Sequence, residues 1–124
     1  MYVLISKAAC NTYEKDSYVN ENIDRYIEEI WKIKNMMESG KLSATKKIGD
    51  FYITPRGHKR ERIAWFKERD KIIIADFFVH DDRHKKFCKL AANRKIKRED
   101  YVKGVIPLET NFEEVYSKYK EKEK

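Results

Sequence analysis

The sequence predicts an α+β domain: an N-terminal strand and helix, or helical hairpin, packed on a small, mostly antiparallel sheet of about four strands, then a basic helix and an extra C-terminal helix. Three observations predict it. Apolar residues recur at three and four between Ser17 and Ser39, two β-rich runs flank a Pro-Arg-Gly turn signal, and the apolar run from Ile72 to Val79 gives way to helical periodicity. With 124 residues, 41% of them apolar, the chain reads as one globular domain spanning 1–124.

The elements follow in order. Tyr2 to Ala9, rich in β-branched and aromatic residues at its start, reads as a strand. Val19, Ile23, Tyr26, Ile27, Ile30, Trp31, Ile33, Met36 and Met37 form the stripe of one amphipathic helix, which Asp16 or Ser17 can cap and Gly40 ends. Leu42 to Gly49 fits either a short helix or a loop. Phe51 to Thr54 and Arg62 to Phe66 read as a hairpin about Pro55-Arg56-Gly57. Ile72 to Val79 has the length of a strand and almost no polar face, so it belongs centrally, covered on both sides. Asp81 or Asp82 can cap a helix with Phe87, Leu90 and Ala91 inward and Arg83, Lys85, Lys86, Lys89 and Arg94 outward. Thr110-Asn111-Phe112-Glu113 has the capping-box pattern of a last helix.

Charge is unevenly placed. Lys41 to Lys103 holds 19 Lys and Arg against 9 Asp and Glu, net +10, while the rest holds 9 against 12, net −3. A cationic surface between acidic flanks attracts a polyanion, and a phosphate backbone is the commonest one. Cys10 and Cys88 form no metal-type doublet and are too few for a disulfide framework, so reduced thiols and a cytosolic location are expected. The N-terminal apolar run from Tyr2 to Ile5 is too short for a signal peptide or a membrane span, and no membrane association is expected.

The order of strand, long helix, basic connector, hairpin, hydrophobic strand and basic helix resembles the RelE superfamily of bacterial toxins, especially its HigB-type branch. The similarity rests on Phe51-Tyr52-Ile53-Thr54-Pro55-Arg56, on Glu61-Arg62-Ile63-Ala64-Trp65-Phe66, and on Ile72 to Phe78 followed by Phe87 to Arg94. It departs at one place. The HigB-type turn continues with a Lys pair directly after the Phe, whereas Phe78 is followed by Val79-His80-Asp81-Asp82 and basic residues return only at Arg83 and Lys85.

The resemblance implies the toxin of a type II toxin-antitoxin system, an endoribonuclease that cuts messenger RNA, typically on the ribosome, and is silenced by an antitoxin protein. Cutting RNA without a metal or other cofactor needs a group to deprotonate the ribose 2′-OH, cations for the charge developing at phosphorus, and an acid for the departing 5′-oxygen. Arg62 matches the family's strand arginine and is the candidate for the cation. His80 and His84 flank the strand-to-helix turn, titrate near neutrality and can exchange the proton. Their spacing beside Asp81 and Asp82 is a weak metal pattern, and no metal is assigned. Tyr101 lies where RelE-type toxins often keep a tyrosine, and can stack on a base or supply a hydroxyl. Lys46, Lys47, Arg56 and Lys85 are candidates for holding the RNA backbone. Strand arginines, turn histidines and lysine runs are also ordinary surface residues. Two other readings therefore stand beside this one: a ParE-like toxin that poisons DNA gyrase, and a basic nucleic-acid-binding module without catalysis.

Overall fold

The apolar run from Ile72 to Val79 fills the middle of a mixed sheet. The computed structural model describes residues 2–40, 47–55, 59–110, 112–113 and 117. Its elements are β1 (Tyr2–Ile5), α1 (Lys7–Lys15), α2 (Ser17–Glu21), α3 (Ile23–Glu38), β2 (Lys47–Ile48), β3 (Phe51–Thr54), β4 (Glu61–Glu68), β5 (Lys71–Val79), α4 (Asp82–Ala92), a 3-10 turn (Arg98–Tyr101) and β6 (Ile106–Pro107). Residues 108–110 and 112–113 are helical. Strand order is β2-β3-β4-β5-β1-β6, with β1 parallel to β5 and every other pair antiparallel.

The fold is α+β, and the sheet has six strands among the described residues where about four were expected. The two additions, β2 and β6, are two residues each, too short to carry a period in the sequence. The first strand also stops at Ile5, not Ala9. Ser6 ends it: its Oγ accepts from Ala9 N at 3.0 Å, capping α1, and donates to the Ala75 carbonyl at 2.5 Å. The helix expected from Ser17 to Ser39 is broken at Asn22, whose backbone N–H and Nδ2 both donate to the Tyr18 carbonyl, at 3.0 and 2.9 Å, closing α2 there. Asp16 caps its first part by accepting from Val19 N at 3.1 Å. The closing helical residues begin at 108, two ahead of the Thr110 pattern, because Leu108 is buried with Phe112.

Both faces of the sheet are covered, as the β5 run requires. One core joins Ile63, Trp65, Ile72, Ile74 and Phe77 to Val19, Tyr26, Ile27, Ile30 and Ile33 of α2 and α3. The other joins Phe51, Ile53, Ala64, Phe66, Ile73, Ala75 and Phe78 to Phe87 and Ala91 of α4. Alternation along β4 thus splits between two cores, and the irregularity at Ala64/Trp65 lets β5 keep both sides buried.

Gly49 sets how closely α4 approaches. It has φ +59°, and a Cβ there would lie 2.2 Å from the Ala91 carbonyl oxygen. Next to it, Asp50 accepts from Arg98 N at 3.1 Å and pairs with Arg94 at 3.5 Å, tying the end of α4 to the β2–β3 turn. Gly49→Ala is expected to lower stability by about 1 to 3 kcal/mol, through left-handed strain and displacement of α4, as read from urea denaturation midpoints. Among the described residues no helix is long and apolar enough to cross a membrane.

Candidate active site

At the end of β5 the chain turns sharply into α4, and most of the chemistry-bearing groups meet there. Asp81 caps α4 by accepting from His84 N at 3.2 Å. That cap fixes His84 one turn into the helix, with its ring 5.3 Å from the His80 ring and 5.9 Å from that of Phe78. His80 is exposed and tethered through its backbone N–H to the Arg60 carbonyl at 2.7 Å. His84 is buried, 9% exposed.

Arg83 was not singled out by sequence, and it is the exposed cation of the corner. Its guanidinium folds back over the Phe78 ring, 4.3 Å from the centroid, donates to the Phe77 carbonyl, and reaches Asp76 Oδ2 at 3.2 Å. Asp76 is buried and held from its other side, where Oδ1 accepts from Thr12 Oγ1 at 2.6 Å and from Phe77 N at 2.8 Å. Burial raises the Asp76 carboxyl above its ordinary range, with the Thr12 bond and the Arg83 charge opposing. Asp76 therefore works as an anchor that aims Arg83. A shallow cleft of about 310 Å³, lined by Asn11, Thr12, Lys15, Asp16 and Arg83, opens beside the pair.

Arg62 sits opposite Phe78 in the β4–β5 ladder. It is only 6% exposed, and its Nη1 donates to the carbonyls of Lys59 and Glu61. Burial pulls its pKa down, with Glu61 and Glu29 opposing, though an arginine remains a cation. Arg62, expected to contact phosphate, thus has its Nη1 turned to the backbone at the start of β4. Tyr101 lies on the same face of the sheet but not beside the histidines. Its ring packs on Phe51 at 5.4 Å and Phe87 at 6.4 Å, and Phe87 in turn meets Phe78 at 4.8 Å. Burial, with Asp76 and Asp100 adding, pushes the Tyr101 hydroxyl up to about 12, which suits a hydrogen-bond donor and not a base.

The backbone-holding set divides similarly. Lys85 is exposed on the outer face of α4 with Lys86 and Lys89. Lys47 lies elsewhere, on edge strand β2 with Nζ 5.6 Å from the Tyr52 ring, and Tyr52 stacks on Trp65 of the opposite core. Lys46 and Arg56 fall outside the described residues. Among the described residues no group of three or more His, Cys, Asp and Glu side chains is placed to hold a metal ion.

His84 gives the corner a pH dependence. Burial lowers its pKa below 6.5, and the charges of His80, Arg62 and Arg83 add to that while Asp81 opposes. The unfolded chain therefore takes up this proton first on acidification, and stability is fully present above the unfolded value and lost as pH falls through the folded one. Urea midpoints are expected to drop as pH falls below about 6.5, and His84→Gln to flatten that part of the profile.

Compared with known proteins, the chain matches no family model and no curated protein.

Proposed function

We propose that this protein is the toxin of a type II toxin-antitoxin system, a RelE-like, HigB-type endoribonuclease that cuts messenger RNA, in association with the ribosome, and stops translation. The observation that carries the reading is the corner after β5. The arginine that comes four residues after the start of the family's Lys pair has its guanidinium returned to the Phe78 ring, at the corner that also carries an exposed histidine. Further support comes from the order of the elements and from the cationic outer face of α4.

The chemistry follows from those positions. A ribose-phosphate strand laid along α4 meets Lys85, Lys86 and Lys89 through its phosphates. Arg83 presents a planar fork to the phosphate whose charge grows as the 2′-oxygen attacks, and this is worth most at the transition state. His80, exposed at the turn, takes the 2′-OH proton or returns one to the leaving 5′-oxygen. His84 stands behind it as a positioning residue, kept neutral by burial. The products are a 2′,3′-cyclic phosphate and a 5′-hydroxyl, with no metal or other cofactor in the steps. Tyr101 is placed to donate a hydrogen bond or stack further along the strand. An acidic antitoxin covering the α4 face would silence the site by charge and occlusion.

Expression in a bacterial host should arrest translation and leave cut transcripts, and co-expression of a small acidic protein encoded beside this one should relieve both. Intact transcripts in arrested cells would refute the nuclease reading. The burial of Arg62 and His84 favours one second reading, a toxin of the same fold that binds without cutting, as ParE-like proteins do to DNA gyrase. That reading predicts DNA breaks in place of cut messages.

A further inference from the structure

Between α3 and the start of β4 lies a cavity of about 410 Å³, a size in the range of small-ligand sites, and the chemistry proposed above makes no use of it. Its walls bring Glu29 of α3 together with Lys59, Arg60 and Glu61. Two of these side chains are fixed from behind. Glu61, 7% exposed, accepts from Tyr18 Oη at 3.3 Å and pairs with Arg25 at 3.5 Å. Arg60 holds its guanidinium over the Tyr18 ring, 5.0 Å from the centroid, while the residue stays exposed, and such a supported plane is a platform for a flat ring. Glu29 has no such commitment: it is half-buried, and among the described residues nothing donates to or pairs with its carboxylate. Burial raises that carboxyl above its ordinary range, with the charges of Lys32 and Lys59 opposing. A carboxylate short of water gains most from donors that a ligand brings.

We propose that this cavity is a nucleotide site that selects guanine, with Glu29 accepting from the base, Arg60 stacking on it and Lys59 meeting the phosphate. Guanine alone of the four bases presents two adjacent donors on its Watson–Crick edge, N1–H and the N2 amino group, and they match the two oxygens of one carboxylate. Adenine and cytosine set an acceptor next to the amino group, and uracil flanks its N–H with two carbonyls, so each of them turns a lone pair on Glu29. The Arg60 carbonyl accepts from His80 N at 2.7 Å, which sets the cavity wall next to the exposed histidine of the corner. A base held there belongs to a nucleotide adjoining the scissile phosphate. The binding site stands on its own geometry, while its part in choosing the cut rests on the function proposed above.

Titration of the native protein with nucleoside 5′-monophosphates at neutral pH tests this. The guanosine compound should bind at least about tenfold tighter than the adenosine compound, the scale of one bidentate base contact, and should shift the backbone amide signals of Lys59 and Arg60 in NMR spectra. Glu29→Gln should bring the two affinities level, whereas Arg60→Ala should weaken both and keep their ratio. Equal affinities in the native protein, or no binding of guanosine 5′-monophosphate, would overturn the proposal whether or not Glu29→Gln folds. Guanosine should also adjoin the cuts that the native protein makes in RNA and lose that place with Glu29→Gln, and cuts indifferent to guanosine would overturn the link to cleavage. Should the protein cut no RNA, the function reading fails while the titration still decides the cavity.

Discussion

Arg83→Ala is expected to reduce RNA cleavage by about 100- to 1000-fold and to relieve toxicity, the scale on which losing one preorganised charge donor is felt at a transition state. The expectation rests on how the side chain is held. Phe78, the Phe77 carbonyl and Asp76 fix one edge and face of the guanidinium while the residue stays exposed, so the free edge is aimed before substrate arrives. Arg83→Lys keeps the charge but cannot reach a carbonyl and a carboxylate in one plane, and should recover only a small part of the rate. Lys85→Ala, at an exposed position outside the corner, should weaken RNA binding modestly and leave turnover near normal. Single-turnover rates on a defined messenger RNA separate these cases. A full rate for Arg83→Ala would remove the arginine from the chemistry.

Phe78→Ala is expected to cost about 3 to 5 kcal/mol of stability, a large part of the 5 to 15 kcal/mol typical of a domain. Phe78 is 1% exposed, and its ring touches Phe87 at 4.8 Å and His84 at 5.9 Å while lying under Arg83. Truncation thus opens a cavity where β4, β5 and α4 meet and removes the surface that seats the arginine. Phe78→Leu separates the two effects. It fills most of the volume, so urea midpoints should fall far less, but it offers no π face, so activity should fall more than stability does. Equal losses in both would mean that Phe78 serves packing alone.

The central strand and the cap of α4 were legible because each rests on local chemistry. An eight-residue apolar run has to be covered on both faces, and an Asp ahead of a polar turn caps the helix that follows. The short strands β2 and β6 were not legible, since a pair of residues becomes a strand only when a neighbour offers its edge. Nor was the break at Asn22, where the backbone and side chain close α2 on one carbonyl while the apolar stripe runs on unbroken in the sequence. For the site, the place of the histidines at the corner followed from their position between the apolar run and the helix that Asp81 caps. The return of Arg83 to Phe78 did not, because it depends on how tightly the chain turns between β5 and α4. Arg62 shows the opposite case: its strand position was clear, but its burial beneath the Lys59 and Glu61 carbonyls is a product of the hairpin's closure. Lys47 turned out to lie on edge strand β2 beside Tyr52, a place that follows from the pairing of β2 with β3 and not from local sequence.

The most direct test is to incubate the purified protein with translating ribosomes and a defined messenger RNA and to map the ends produced. The account predicts new 5′-hydroxyl ends paired with 2′,3′-cyclic phosphates, formed by the native protein and nearly absent with Arg83→Ala. Uncut RNA, or equal cutting by both proteins, would contradict it.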